Sequence, residues 1–268
     1  MLGLFLKLIN LLIKCKEVVG LRLLLTNDDG ISAPGIQQLS LALSEIAEVT
    51  VVAPMQEQSG ASQAITVHQP IIVDDYLMPK VKVAWRIGGT PADCVKLALE
   101  KLMDHKPDFV VSGINSGANL GMDVVYSGTV SAAREGAMHH IPAIAVSLDN
   151  SKATDYMEVA TFIKQLLPKL NKNILPDNLL LNINAPANWQ YGDKFAYTKL
   201  GIRNYENTFE KRLNPSGRSY YWMGGTVAKM DNSPDTDVAA VESGILSITP
   251  IHFDLTDRQL LQQLLQQN

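Results

Sequence analysis

The run Leu21 to Gly30, Leu-Arg-Leu-Leu-Leu-Thr-Asn-Asp-Asp-Gly, ends an apolar stretch on three consecutive polar side chains and a glycine. Two adjacent carboxylates, Asp28 and Asp29, repel each other when brought onto one centre, and a divalent cation is the usual reason for tolerating that. An acidic surface turn uses the same residue types, and this stretch alone leaves both readings open. Further along, Ser59-Gly-Ala-Ser and the segment Ser112 to Thr129 supply hydroxyls, amides and glycines but no thiolate. Asp28, Asp29, Ser59 and Asn115 then offer four oxygen donors, a set that selects Mg²⁺, Mn²⁺ or Ca²⁺ over zinc. Ser127-Gly-Thr-Val-Ser-Ala-Ala-Arg-Glu-Gly opens a helix, so the amides and hydroxyls of Ser127, Gly128 and Thr129 face an anion-sized space at its N-terminus. Phosphate is the natural guest, although no Gly-Lys-Ser/Thr follows to make a Walker loop. A hard cation beside such a pocket is a hydrolase arrangement: it activates a bound water and neutralises the charge of the phosphoryl group.

The elements that must position these residues read as an α/β chain. Leu23 to Thr26 has the unbroken apolar character of a strand buried on both faces, and in open α/β sheets ligands bind beyond the carboxyl ends of such strands. A helix follows with Ile36, Leu39, Leu43 and Ile46 on one face. Val49 to Ala53 is a second strand, leading into the loop of Ser59. Ala64 to Val73 alternates around Pro70, and Val81 to Ile87 is another strand, so antiparallel pairing is expected there. Thr90, Pro91 and Asp93 are the N-cap, first residue and dipole-facing acid of a helix. The stretch from Pro107 to Asn115 is a short buried strand, and Ser112 to Thr129 reads as a long loop without structure of its own, the kind that usually carries function. Strands at Ala143 to Ser147 and Leu179 to Ile183, with a helix between from Thr154 to Leu170, complete a doubly wound core. Phe195 to Met223 alternates with Tyr197, Tyr205, Phe209, Tyr220, Tyr221 and Trp222 and reads as a β-rich arm suited to subunit exchange. Asp237 to Glu242 is a helical turn, Ile245 to Thr249 a strand, and the tail from Asp257 a helix.

Composition narrows the function. The 268 residues are 46% hydrophobic with a formal charge of -4 and no clustered Lys and Arg, which excludes extended nucleic-acid binding. Cys15 and Cys94 lie far apart, outside any Cys-x-x-Cys or Cys/His set, so neither a disulfide framework nor a zinc site is expected. Residues 1–20 read as an appended amphipathic helix, with Lys7, Asn10 and Lys14 on one polar face, too interrupted to span a bilayer and without a cleavage signal. Residues 21–268 form the catalytic unit, and a cytoplasmic location is expected.

Five ordered motifs resemble the SurE survival-protein family: Thr26-Asn-Asp-Asp-Gly-Ile-Ser-Ala-Pro-Gly-Ile, Ser59-Gly-Ala-Ser, Val111-Ser-Gly-Ile-Asn-Ser-Gly-Ala-Asn-Leu-Gly, Tyr126-Ser-Gly-Thr-Val-Ser-Ala-Ala and Ser247-Ile-Thr-Pro. They span about Leu21 to Leu255. The resemblance implies a metal-dependent 5'-nucleotidase that hydrolyses nucleoside monophosphates with a metal-activated water. It also implies a Rossmann-like, mostly parallel sheet with an exchanged C-terminal arm, in a homodimer or homotetramer. By motif position, Asp28, Asp29, Ser59 and Asn115 match the metal ligands, with one Mg²⁺ or Mn²⁺ per subunit, while Asn119 and Ser127, Gly128 and Thr129 line the phosphate pocket. Asp28, Asp29 and Asn119 carry the catalytic roles. Departures from the pattern are Thr26, Met55 and Met122, none a proposed ligand.

Rival readings fit less well. A receiver-like signalling domain would also use an acidic pair to bind Mg²⁺, but it needs a phospho-acceptor Asp at a central strand end, where this chain has Ser112-Gly113. A haloacid-dehalogenase phosphatase needs Asp-x-Asp, and here the acids are adjacent. A dinucleotide fold would show Gly-x-Gly-x-x-Gly after the first strand. The five histidines have no partner in sequence that would fix them beside the acids, and His139 and His140 suit a helix C-terminus.

Overall fold

A computed structural model of the chain describes residues 20–150, 155–170, 175–176, 178–206, 208–228 and 233–266. The expected helix of residues 1–20 lies outside these, apart from Gly20. The elements that matter for the site begin with β1 (Arg22–Thr26), α1 (Pro34–Leu43), β2 (Glu48–Pro54), β3 (Val73–Asp75), β4 (Val83–Ile87) and α2 (Pro91–Leu97). They continue with β5 (Phe109–Ser116), α3 (Gly128–Met138), β6 (Ala143–Asp149), α4 (Met157–Leu166) and β7 (Leu180–Pro186). The C-terminal part holds β8 (Phe195–Tyr197), β9 (Tyr205–Glu206), β10 (Phe209–Leu213), β11 (Ser219–Met223), β12 (Thr226–Val227), α5 (Asp237–Glu242), β13 (Leu246–Pro250) and α6 (Arg258–Leu265).

One nine-stranded sheet runs in the order β3-β4-β2-β1-β5-β6-β7-β13-β8. From β4 to β7 every pairing is parallel. β3 and β13 run antiparallel to their inner neighbours, which gives the sheet reversed flanks. The chain leaves β1 toward β2 on one side and returns to β5 on the other, so β1 stands at the switch point where an open α/β sheet presents a crevice. Both faces are covered. Leu23, Leu25, Val51 and Val111 pack with Ile36, Leu39 and Leu43 of α1 and Ile163 of α4. Leu24, Val52 and Val110 pack on the other face with Val95 of α2 and Val130 and Ala133 of α3. Leu23, Leu24 and Leu25 are all fully buried, as their unbroken apolar run requires. Gly35 lets α1 approach β5 closely, because a Cβ there would lie 1.9 Å from the Ile114 carbonyl oxygen.

Several sequence expectations need correction. The alternating run from Ala64 forms a strand only at Val73–Asp75, and β4 pairs in parallel with β2 as well as antiparallel with β3. Pro70 cannot donate to a ladder, and the backbone before it is tied to α2 instead: Thr66 N–H donates to Asp93 and the Thr90 hydroxyl donates to the Ala64 carbonyl. The segment after Ser112 has structure of its own, since β5 extends to Ser116 and a 3₁₀ turn occupies Gly121–Val125. The helix expected from Thr154 forms at Met157–Leu166, followed by a 3₁₀ turn at Leu167–Lys169; Thr154 itself is outside the described residues. The arm also starts later: Phe195–Tyr197 joins the main sheet beside β13, and the projecting part is the β10–β11 hairpin with the β9–β12 ladder. Every residue of β10 and β11 is exposed.

Candidate active site

The acidic pair sits where β1 ends, between the loops that follow β2 and β5. Asp28 is buried to 4% exposure and Asp29 is partly buried. Thr129, in the first turn of α3, donates its hydroxyl to Asp28 Oδ1, and its backbone amide is aimed at the same carboxylate. Gly128 makes this approach possible: a Cβ at that position would lie 2.8 Å from Asp28 Cβ and 2.9 Å from its Oδ2. Ser116 N–H donates to Asp29 Oδ2 at 3.0 Å, tying the second acid to the end of β5. The β2 loop is fastened to the same place, because Gln58 N–H donates to the Asp28 carbonyl at 2.8 Å.

Burial dominates the electrostatics. It pushes the Asp28 carboxyl up to about 6, with the Asp29 charge adding to the rise and the Thr129 hydroxyl opposing it. Asp29 is raised as well, first by burial and then by the charge of Glu57, against the opposing Ser116 amide. Two desolvated acids that resist ionising together are what a bound cation would relieve. The neighbouring donors fit one. Asn115 donates its side-chain nitrogen to the Gly117 carbonyl at 2.7 Å, which leaves its Oδ1 as the atom able to ligate. Among the described residues no three His, Cys, Asp or Glu side chains gather, so a cation here depends on neutral oxygens beside the two acids. Ser59 is exposed, and its hydroxyl donates to Glu57 at 2.7 Å. Its loop is anchored at Asp28, yet the side chain itself is turned to Glu57.

At the N-terminus of α3, Ser127 is the cap: its Oγ accepts from Val130 N–H at 3.1 Å, so its own proton remains to donate outward. Thr129 is directed at Asp28 and belongs with the acidic pair as much as with a phosphate pocket. Asn119 is buried and held from three sides by Asn184, Ser147 and Asn182. His139 stands at the C-terminal end of α3, 3.3 Å from Glu135. At 1.5 Å per residue that end lies about 16 Å from the Ser127 cap.

Sequence reasoning passed over Glu57, Ser147, Asn182 and Asn184. The last two had a signal: Leu180-Leu-Asn-Ile-Asn-Ala-Pro places asparagines two apart in an otherwise apolar central strand, where polar side chains have no reason to be unless something holds them.

The pattern described as Survival protein SurE matches residues 23–207. A 5'-nucleotidase SurE of Pelotomaculum thermopropionicum is 50% identical over 246 residues, covering 91% of this chain and 94% of that protein. The 5'-nucleotidase SurE of Syntrophomonas wolfei is 52% identical over 245 residues, covering 91% and 93%. The chain belongs to the SurE family. The crystal structure of the SurE protein from Aquifex aeolicus superimposes with a TM-score of 0.78 at 36% identity, covering 91% of this chain and 98% of that one. The SurE match begins at the first residues of β1 and takes in every strand end that contributes to the site.

Proposed function

We propose that the protein is a 5'-nucleotidase that hydrolyses nucleoside monophosphates at the β1–β5 crevice, using one divalent cation per subunit. Membership of the SurE family, at about half identity to proteins named 5'-nucleotidase, supports the activity. The observation that carries the site is the Asp28–Asp29 pair at the end of β1, with the first turn of α3 packed onto the buried Asp28. Asp28, Asp29 and Asn115 Oδ1 would hold the cation, with Ser59 brought in by a turn of its side chain away from Glu57. Mg²⁺ or Mn²⁺ suits this all-oxygen set. When bound, the cation supplies an activated water and neutralises charge on the phosphoryl group. The chain supplies the remainder. Thr129 orients Asp28, Ser116 orients Asp29, and the Ser127 hydroxyl with the Gly128 amide offers donors to phosphate oxygens at the positive end of α3. Asn119 faces the phosphate from the β6 side.

We also infer that residues 21–268 act as one catalytic unit with 1–20 appended, and that the exposed β10–β11 hairpin crosses to a second copy in a homodimer or homotetramer. A receiver-like reading is disfavoured by β5, which carries Ser112 and Gly113 where its pairing with β1 ends, in place of an acceptor Asp. The test is phosphate release from a panel of nucleotides after chelation, repeated with each metal. Chelation should abolish release, with Mg²⁺ or Mn²⁺ restoring it and Zn²⁺ substituting poorly. Full turnover in excess chelator, or a trapped phospho-enzyme, would overturn the mechanism.

A further inference from the structure

Along the face covered by α2 and α3, the strands change character from one end to the other. Leu24, Val110, Ala143 and Leu180 are apolar near the strand starts. By the alternation of strand side chains, Thr26, Ser112, Ser147, Asn182 and Asn184 occupy the same face near the carboxyl ends. All five are fully buried. Five buried polar side chains in one layer are expensive unless each is matched. Three of them converge on a single residue. Asn184 Oδ1 accepts from Asn119 N–H at 2.7 Å, and Asn184 Nδ2 donates back to the Asn119 carbonyl at 3.1 Å. Asn182 Nδ2 donates to that same carbonyl at 2.8 Å. Ser147 Oγ accepts from Asn119 Nδ2 at 2.8 Å.

The backbone and the side chain of Asn119 are therefore both clamped, although the residue lies between β5 and a 3₁₀ turn with no ladder of its own. The clamp is also aligned with the acidic site. Ser147 is the register partner of Asn115 across β5–β6, and of Asn184 across β6–β7. Asn119 is thus tied to β6 and β7 at the level of the sheet that Asn115 occupies on β5. With one amide proton engaged by Ser147, the other proton and Oδ1 are what it can present to a ligand.

We propose that Ser147, Asn182 and Asn184 are positioning residues that hold Asn119 against the substrate phosphate. The inference rests on the reading of Asn119 as a substrate-facing residue. Asn184 is suited to this because an amide both accepts from the N–H and donates to the carbonyl of one residue, which a carboxylate of the same size cannot do.

The test compares Ser147→Ala, Asn184→Asp, Asn119→Ala and the double variant Ser147→Ala/Asn119→Ala in the full chain. It reads kcat/KM for a nucleoside monophosphate, inhibition by inorganic phosphate, and Mn²⁺ affinity by calorimetry. Ser147→Ala and Asn184→Asp should each lose about tenfold or more in kcat/KM, with phosphate inhibition weakened in parallel and Mn²⁺ affinity unchanged. The double variant should be no worse than Asn119→Ala alone, because both changes remove one interaction. Losses that multiply in the double variant would overturn the proposal, as would full activity in both clamp variants beside an impaired Asn119→Ala. If Asn184→Asp fails to fold, Ser147→Ala, which removes a single hydroxyl, decides the matter through the double variant. Parental turnover in Asn119→Ala would instead remove Asn119 from the substrate site, a failure distinguishable from that of the clamp.

Discussion

Replacing Asp28 by Asn separates the destabilising effect of the acidic pair on the fold from its use to the site. In the metal-free protein, burial raises the Asp28 carboxyl from 3.8 to about 6. A carboxyl whose folded pKa is raised binds more protons folded than unfolded between those values, so the fold loses stability as pH rises through them. At about 1.4 kcal/mol for each tenfold, the gap corresponds to roughly 3 kcal/mol of destabilisation, complete above about pH 7 and absent below about pH 4. Asn keeps the shape and an oxygen for the Thr129 hydroxyl but carries no charge to desolvate. The chelated Asp28→Asn protein should therefore be more stable than the parent at about pH 8, by up to about 3 kcal/mol, with the difference shrinking toward zero near pH 4. Excess metal should reverse the order, since a cation at about 1,000 times its Kd adds about 4.1 kcal/mol to a protein that can bind it, more than the roughly 3 kcal/mol lost to burial. Denaturant unfolding across pH, with chelator and with Mn²⁺, measures both effects. A variant no more stable than the parent at about pH 8, or one equally stabilised by Mn²⁺, would refute the buried-pair argument. Turnover should fall by orders of magnitude for Asp28→Asn and Asp29→Asn alike, whereas an acidic surface turn would leave both near parental rates.

Gly128→Ala introduces a Cβ 2.8 Å from that of Asp28, so it should displace the carboxylate and lose metal affinity and turnover together; calorimetry showing parental metal binding would rule out the close approach. The exposed Phe209, Tyr221, Trp222 and Met223 of the hairpin predict burial against a second copy, read as a dimer or larger species by sedimentation. A stable, active monomer would exclude the exchange.

Much of the fold was legible because its signals are local. β1 is recognisable from three consecutive leucines buried on both faces, and α2 from Thr90, Pro91 and Asp93, which form the capping box and first turn their order suggests. The edge of the sheet was less legible. Whether the alternation from Ala64 becomes a strand depends on who takes its backbone bonds, and Asp93 and Thr90 of α2 take them. The site divided in the same way. Asp28, Asp29 and Ser127 stand where a strand end and a helix start must put them, and the ordered SurE motifs drew in Ser59, Asn115 and Asn119. Glu57, which draws the Ser59 hydroxyl, and the Ser147–Asn184 clamp belong to no short motif.

The order of apolar runs, caps and polar strand ends is written in the chain, and with it the α/β class, the family and the place of the acidic pair at the end of β1. Those features need only near neighbours in sequence. Contacts such as Thr129 to Asp28, Ser116 to Asp29 and Asn184 to Asn119 join residues 101, 87 and 65 positions apart. They exist only because parallel strands place β1, β5, β6 and β7 side by side with their carboxyl ends at one edge. The burial that raises Asp28, and the clamp that fixes Asn119, are consequences of that packing.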